Sequence, residues 1–226
     1  MKLFRYAHFF PMNNRLSLLY LIMMIALVFP ACRGRAKAGN DNNKSEGPVS
    51  LHTGDEKYVA IDTKESVVTW KGSNSFGAHT GYVYLSKGEL MIENDQLVGG
   101  TVEVDMNTIE DEKYGRDNGL VQHLKNPDFF DVKKFPTATI AITKAEPTAG
   151  GDKNITGNLT IKGITNPVGF PAKVEIKDGT VRADGKLVID RTKWDVRYNS
   201  GKFYDNLADK TISDSIEFHV KIVAKK

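Results

Sequence analysis

The stretch GTVEVDMNT, residues 100–108, decides the fold class. Val102, Val104 and Met106 fall on one side of an extended chain, and Glu103, Asp105 and Asn107 on the other. That is the period of a strand with one apolar face and one wet face. The same alternation recurs along the chain. TATIAIT (137–143) aligns Ala138, Ile140 and Ile142, and PVGFPAKVEI (167–176) aligns Val168, Phe170, Ala172, Val174 and Ile176. TVRADGKLVID (180–190) aligns Val181, Ala183, Gly185, Leu187 and Ile189, and SIEFHVKIVA (215–224) aligns Ile216, Phe218, Val220 and Ile222. Further strands are predicted at 57–62, 66–72, 81–93 and 155–163. Turn residues punctuate these runs at Asn94-Asp95, Gly99-Gly100, Gly150-Gly151-Asp152, Asp178-Gly179 and Asn199-Ser200-Gly201. Eight or nine strands joined mostly by hairpins predict an all-β domain, an antiparallel barrel or sandwich and not a βαβ fold.

The inward series include small residues: Ala138, Gly157, Ala172, Ala183 and Gly185. They have two explanations. They leave room inside a barrel for a guest, or they ease sharp coiling and close strand approach.

Between two strand patterns lies HLKNPDFFDVKKFPTATI, residues 123–140, with Phe129, Phe130 and Phe135 in no strand or long-helix pattern. Residues 118–125 place Leu120, Val121 and Leu124 at helical spacing. Asn126-Pro127-Asp128 ends that helix, since the residue before proline is pushed out of the helical region. A short helix followed by a turn carrying Phe129 and Phe130 is predicted to act as a lid over one end of a barrel. Burying its rings contributes about 25 cal/mol per Å² of apolar surface.

The N-terminal part reads differently. Residues 1–31 carry Lys2, Arg5 and Arg15 and no acidic residue, followed by the 13-residue apolar run Leu16–Val28. Such a run suits a signal peptide and is short for a transmembrane helix. Two cleavage points are compatible with it. One precedes Cys32, the sole cysteine of the chain, which would then be acylated as in bacterial lipoproteins; the other follows Ala38 of AKAG. The position of Cys32 directly behind the apolar run favours the first. An intradomain disulfide is excluded. Residues 32–56 are polar and read as a flexible tether, with a span of roughly 25–30 Å, and residues 57–226 as one β domain. The formal charge of +3 belongs to residues 1–31, and the remainder sums to zero. No basic patch of a nucleic-acid binder is evident.

The segments 70–90, 99–109, 123–140, 157–174, 190–203 and 212–222 together resemble the YceI-like family, bacterial polyisoprenoid-binding proteins of the cell envelope. DFFDV…FPTAT followed by GNLTIKGIT is the specific combination. The resemblance implies an extended antiparallel lipocalin-like barrel of about eight strands, with a short helical lid and an apolar channel for a prenyl chain. It implies a non-enzymatic carrier of a polyprenyl phosphate or quinone. The protein is expected to be exported to the periplasm and held at the membrane through acylated Cys32; a homodimer is left open. The alternative is an envelope interaction module whose barrel is a scaffold for a protein partner.

On that basis the expected channel residues are Val68, Trp70, Val102, Val104, Met106, Phe129, Phe130, Ile140, Ile142, Phe170, Leu187 and Phe218. For any single one of these, plain core packing is the stronger reading, and the set carries the expectation better than any member. His79, His123 and Arg191 are candidates for a polar head group, with Arg116, Lys193 and Arg197 as further cations for an anionic one. The competing roles are that the histidines tie loop backbone together and that Arg191 pairs with Asp195 or Asp184. His219 alternates outward. No metal set, cofactor or catalytic group is expected: G-x-S-x-G, H-E-x-x-H and C-x-x-C are all missing from the sequence.

Overall fold

The computed structural model describes residues 57–225. The signal segment, Cys32 and the tether lie outside the described residues. The strands are β1 (Lys57–Ile61), β2 (Val67–Asn74), β3 (Gly77–Glu93), β4 (Gln96–Asp111), β5 (Thr137–Pro147), β6 (Lys153–Ile161), β7 (Ile164–Lys177), β8 (Thr180–Asp190) and β9 (Ser215–Lys225), with one helix, α1 (Gly119–Lys125). Every pairing is antiparallel. The order β3-β2-β9-β8-β7-β6-β5-β4 closes because β4 returns to β3. Nine strands fill eight lanes, since β1 continues the lane of β2: Ala60 faces Glu89 of β3 on one side and Lys225 of β9 on the other. The break between them is stitched by Ser66, whose hydroxyl accepts from the Val223 amide (2.9 Å) and donates to the Val223 carbonyl (3.3 Å).

Local chemistry sets the turns. Asn94-Asp95, Lys162-Gly163 and Asp178-Gly179 each put two successive residues at positive φ, the hairpin geometry that matches strand twist. The strand expected over 155–163 therefore stops at Ile161. Gly99-Gly100, expected as a turn, lies inside β4. There a β-carbon on Gly100 would come 2.6 Å from the Glu89 carbonyl oxygen, so the pair marks a close approach of β4 to β3. Asn199-Ser200-Gly201 sits within the long β8–β9 connection, not between adjacent strands.

The two ends of the barrel differ. One is closed by short connections, and Val59, Ile61, Ile92, Val181 and Ala224 fill it. The other carries the β2–β3 turn, the 112–136 connection with α1, the β6–β7 turn and the 191–214 connection. Here α1 is capped by Asn118, whose side-chain oxygen accepts from the Val121 amide at 3.0 Å. Val121 is fully buried, which seats the helix on the barrel.

At this end the ladder is incomplete. β7 pairs with β8 only through Ala172–Lys177, so residues 164–171 have no β8 partner, and Pro167 and Pro171 fall where no partner asks for their missing N–H. A 3-10 turn, Arg191–Trp194, packs across the gap. The Trp194 indole N–H donates to the Leu159 carbonyl at 3.0 Å, and the Asn166 side chain donates to the Lys193 carbonyl at 3.0 Å. Asp190 starts this turn by accepting from the amide (3.0 Å) and hydroxyl (2.6 Å) of Thr192 and from Lys202 (2.6 Å).

Candidate functional site

Alternation on all eight lanes turns apolar side chains inward, yet they do not meet. They enclose a cavity of about 160 Å³, far above the ~10–15 Å³ that one water needs. Val68, Trp70, Val102, Val104, Met106, Phe130, Ile140, Ile142, Phe170, Leu187 and Phe218 all line it. Phe129 does not. It is buried beside the lid and lines only the adjoining mouth. Ala138, Ala172, Ala183 and Gly185 also line the cavity, so at these positions the small side chains leave space. Gly157 has the other role: its β-carbon would fall 2.6 Å from the Ala141 carbonyl oxygen at the irregular β5–β6 pairing.

Several liners escaped the sequence reading, including Leu90, Leu97, Ile155 and Leu159. Leu90 is hidden by shifts of the β3–β4 register, which swap the inward phase from Val83 and Leu85 to Leu90 and Ile92. Leu97 lies beyond the glycine pair that reads as a turn. Ile155 and Leu159 alternate cleanly in KNITGNLTI and could have been assigned from that signal.

The wall has almost no polar chemistry. Thr139 and Trp70 are the residues of the wall that carry a polar side-chain group. Trp70 is 9 % exposed, and its Nε1 is buried with no hydrogen-bond partner among the described residues. Such an orphan donor costs roughly 1–3 kcal/mol.

A second compartment of about 90 Å³ adjoins the cavity at the lid end. Trp70, Leu124, Phe130 and Ile216 line both spaces and form the collar between them. Beyond the collar Ser73, Asn74, His79 and Ser213 join the lining, although the surface they help enclose stays apolar. His79 is half-exposed, and its Nδ1 lies 3.5 Å from the buried carboxylate of Asp111. Asp111 is fixed in turn by accepting the amides of Lys113 (2.9 Å) and Tyr114 (2.8 Å). His79 thus stands in the wall of the lid-end compartment.

Of the other two head-group candidates, Arg191 also lines this compartment and His123 does not. His123 packs edge-on between Phe129 and Tyr198, with ring centroids at 5.0 and 4.7 Å, and its Nε2 lies 3.5 Å from Asp128. It ties the lid to the β8–β9 connection and lines neither compartment. Arg191 is 1 % exposed. Its Nε, Nη1 and Nη2 donate to the carbonyls of Ser213 (2.8 Å), Val196 (2.7 Å) and Ile212 (3.0 Å), and Asp214 lies 3.5 Å away. Burial lowers its pKa against the opposing pull of Asp214 and Asp190. It forms part of the mouth floor as a fastener of the 191–214 connection, its guanidinium already engaged. Neither Asp195 nor Asp184 is its partner: they pair with Arg197 (2.9 Å) and His219 (2.7 Å).

Of the further cations, Arg116 pairs with Glu110 at 2.8 Å. Burial alone would raise the Glu110 carboxyl, but hydrogen bonds from Tyr84 and Arg116 hold it below its ordinary value. Glu103 faces outward, beside Lys87 and Ser86.

A closed antiparallel barrel around an apolar cavity, with a short helix over one end, is a lipocalin-like barrel. The chain belongs to the YceI-like family: the family model for the YceI-like domain matches residues 59–224. It is 30% identical over 126 residues to a UPF0312 protein of Shewanella denitrificans and 39% identical over 124 residues to one of Shewanella oneidensis. Each match covers 50% of this chain and 64% of the relative, so the chain spans just under two thirds of their length. Among solved structures, BcnA of Burkholderia cenocepacia is 21% identical with a TM-score of 0.60, over 73% of this chain and 99% of that one. A polyisoprenoid-binding domain from Saccharophagus degradans, described as implicated in plant cell wall breakdown, is 12% identical with a TM-score of 0.56, over 74% and 97%. At these identities both likenesses show the fold.

Proposed function

We propose that this chain is a non-enzymatic binding protein for a long isoprenoid lipid, carried in the cell envelope and tethered through acylated Cys32 on the periplasmic side. One observation carries it: a cavity walled by apolar side chains from every lane of the barrel, with an unmet hydrogen-bond donor at its collar. The polyisoprenoid-binding description of the Saccharophagus neighbour supports the guest class. Burial contributes about 0.8 kcal/mol per CH₂, hence about 4 kcal/mol for a five-carbon unit. Association costs on the order of 4–15 kcal/mol, so about four units are needed before binding is tight. A short prenyl group would not be retained.

In this scheme the chain lies in the cavity, the collar of Trp70, Leu124, Phe130 and Ile216 grips its head-proximal carbons, and the head sits near His79. The Trp70 N–H is sealed in the guest-free barrel, and a small turn of the indole would let a quinone carbonyl or a phosphate oxygen accept it. Native mass spectrometry after detergent-free purification is the test. A single added mass, released by organic solvent and identified as an isoprenoid, is the expected result. Recovery of a guest-free barrel that takes up neither a quinone nor a polyprenyl phosphate would end the proposal.

A further inference from the structure

The lid end of the barrel has a surface unlike the rest of the molecule. Phe76 stands at the tip of the β2–β3 turn and is 81% exposed. Its exposure is built in, because Asn74 Oδ1 accepts the amides of Phe76 (2.9 Å) and Gly77 (3.1 Å) and holds the turn outward. Tyr114, Phe203 and Tyr204 are exposed on the neighbouring connections. These connections are joined: the Ser213 amide donates to Ser73 on one side of the turn (2.9 Å), and the Glu112 amide donates to Thr80 on the other (2.9 Å). The aromatics therefore stand on one contiguous rim. Two of them carry cations against their rings, Lys113 over Tyr114 at 4.9 Å and Arg197 over Phe203 at 4.6 Å. At the opposite end Tyr58 is the exposed large apolar residue among the described residues.

Charge follows the same axis. The connections at the lid end, 112–136, 162–163 and 191–214, carry ten Lys and Arg besides the buried Arg191, against eight Asp and Glu. Those at the far end, 62–66, 94–95, 148–152 and 178–179, carry one against five. A cationic end with protruding amphipathic rings complements the interfacial layer of an anionic bilayer, where Tyr and Phe seat among head groups and Lys and Arg meet phosphates. A protein partner would fit exposed rings alone. The cation–ring pairs and the end-to-end charge difference favour lipid.

We infer that the rim bearing Phe76, Tyr114, Phe203 and Tyr204 docks on an anionic membrane surface. Docking there would set the mouth, whose wall includes Ser73, Asn74 and Ile212 of the same segments, against the head-group layer. A guest would then pass between bilayer and cavity without crossing water. The inference concerns the outside of the barrel and holds whatever guest the cavity takes.

The test uses the full chain carrying Cys32→Ser, so that no acyl group contributes. A single cysteine is placed at Ser75→Cys beside Phe76, or at Ala149→Cys on the far end, and labelled with an environment-sensitive fluorophore. On vesicles of phosphatidylglycerol and phosphatidylethanolamine, the label at 75 should shift to the blue and be quenched by brominated acyl chains, while the label at 149 stays water-like. The response should fall several-fold on phosphatidylcholine, in about 1 M salt, where screening acts within ~3 Å, and in Phe76→Ser or Lys113→Glu with Lys210→Glu. A water-like label at 75 on every vesicle, equal responses at both positions, or indifference to charge would overturn it. So would cross-linking of position 75 to a protein without any vesicle response. Loss of guest uptake in mass spectrometry would leave these readouts unchanged, so the two proposals fail separately.

Discussion

Trp70 of β2 lies against Gly81 of β3, its ladder partner. A β-carbon on Gly81 would come 2.6 Å from the indole Cε2 and overlap the Glu110 carbonyl oxygen. The missing side chain is what lets the indole reach the collar. Gly81→Ala should destabilise the barrel by about 1–3 kcal/mol through overpacking and shift Trp70 fluorescence. Gly72→Ala on β2, with open space around it, should be near neutral. Urea unfolding of the two variants makes the comparison.

Trp70→Phe keeps an aromatic ring at the collar and removes the unmet donor. Guest-free stability should fall by less than the cost of a buried ring truncation, because the orphan's penalty of roughly 1–3 kcal/mol disappears. Binding should discriminate. Affinity for a quinone or polyprenyl phosphate should drop several-fold relative to affinity for a hydrocarbon such as squalene, measured by competition for one fluorescent guest. An unchanged ratio would remove Trp70 from head-group recognition.

Arg191 and His79 should part company under substitution. Arg191→Met strips three backbone carbonyls of their donor and leaves Asp214 without its counter-charge, a loss of about 3–5 kcal/mol. His79→Ala, half-exposed at the mouth, should change stability by less than about 0.5 kcal/mol and weaken only guests with polar heads. Thermal melts together with guest titrations read both effects.

Asp190 gives the molecule an acid-sensitive joint. Burial works against its charge, but Lys202 and the Thr192 hydroxyl and amide outweigh it and lower the carboxyl from 3.8 to about 2. Because the folded value lies below the unfolded one, the stabilisation is complete above pH ~4 and is lost as pH falls through about 2. It is on the order of 1–2 kcal/mol, allowing for partial exposure. Asp190→Asn should therefore be less stable than the parent at neutral pH, and the gap should close near pH 2 in a denaturant series across that range.

The walls of the barrel were legible because alternation reports burial directly. Alternate residues of 102–106, 138–142, 170–174 and 216–222 face inward as their period requires. The lid was legible from Pro127 and the helical spacing before it. The breaks in period were not. In β3 the register shifts move the inward phase, and no local residue type announces them. Gly99-Gly100 reads as a turn, since a glycine that permits close strand approach looks the same in sequence as one that permits a reversal. The polar candidates depended on tertiary contacts. Nothing near Arg191 in sequence shows that Ser213 and Ile212 will collect its donors, and nothing near His123 shows that Tyr198 will lean on it. Trp70's unmet N–H is likewise a property of what surrounds it in space.

The half-zipped junction of β7 and β8 has a mechanical consequence. Amides of the residue 164–171 segment lack a ladder on one side, and the gap is spanned by the Asn166 side chain on the Lys193 carbonyl and by Trp194, which reaches past to Leu159 of β6. This flank should exchange hydrogen for deuterium sooner than the fully laddered β8–β9 wall. If the barrel ever loosens to admit something wider than its mouth, it should part here, with Trp194 swinging out as the latch.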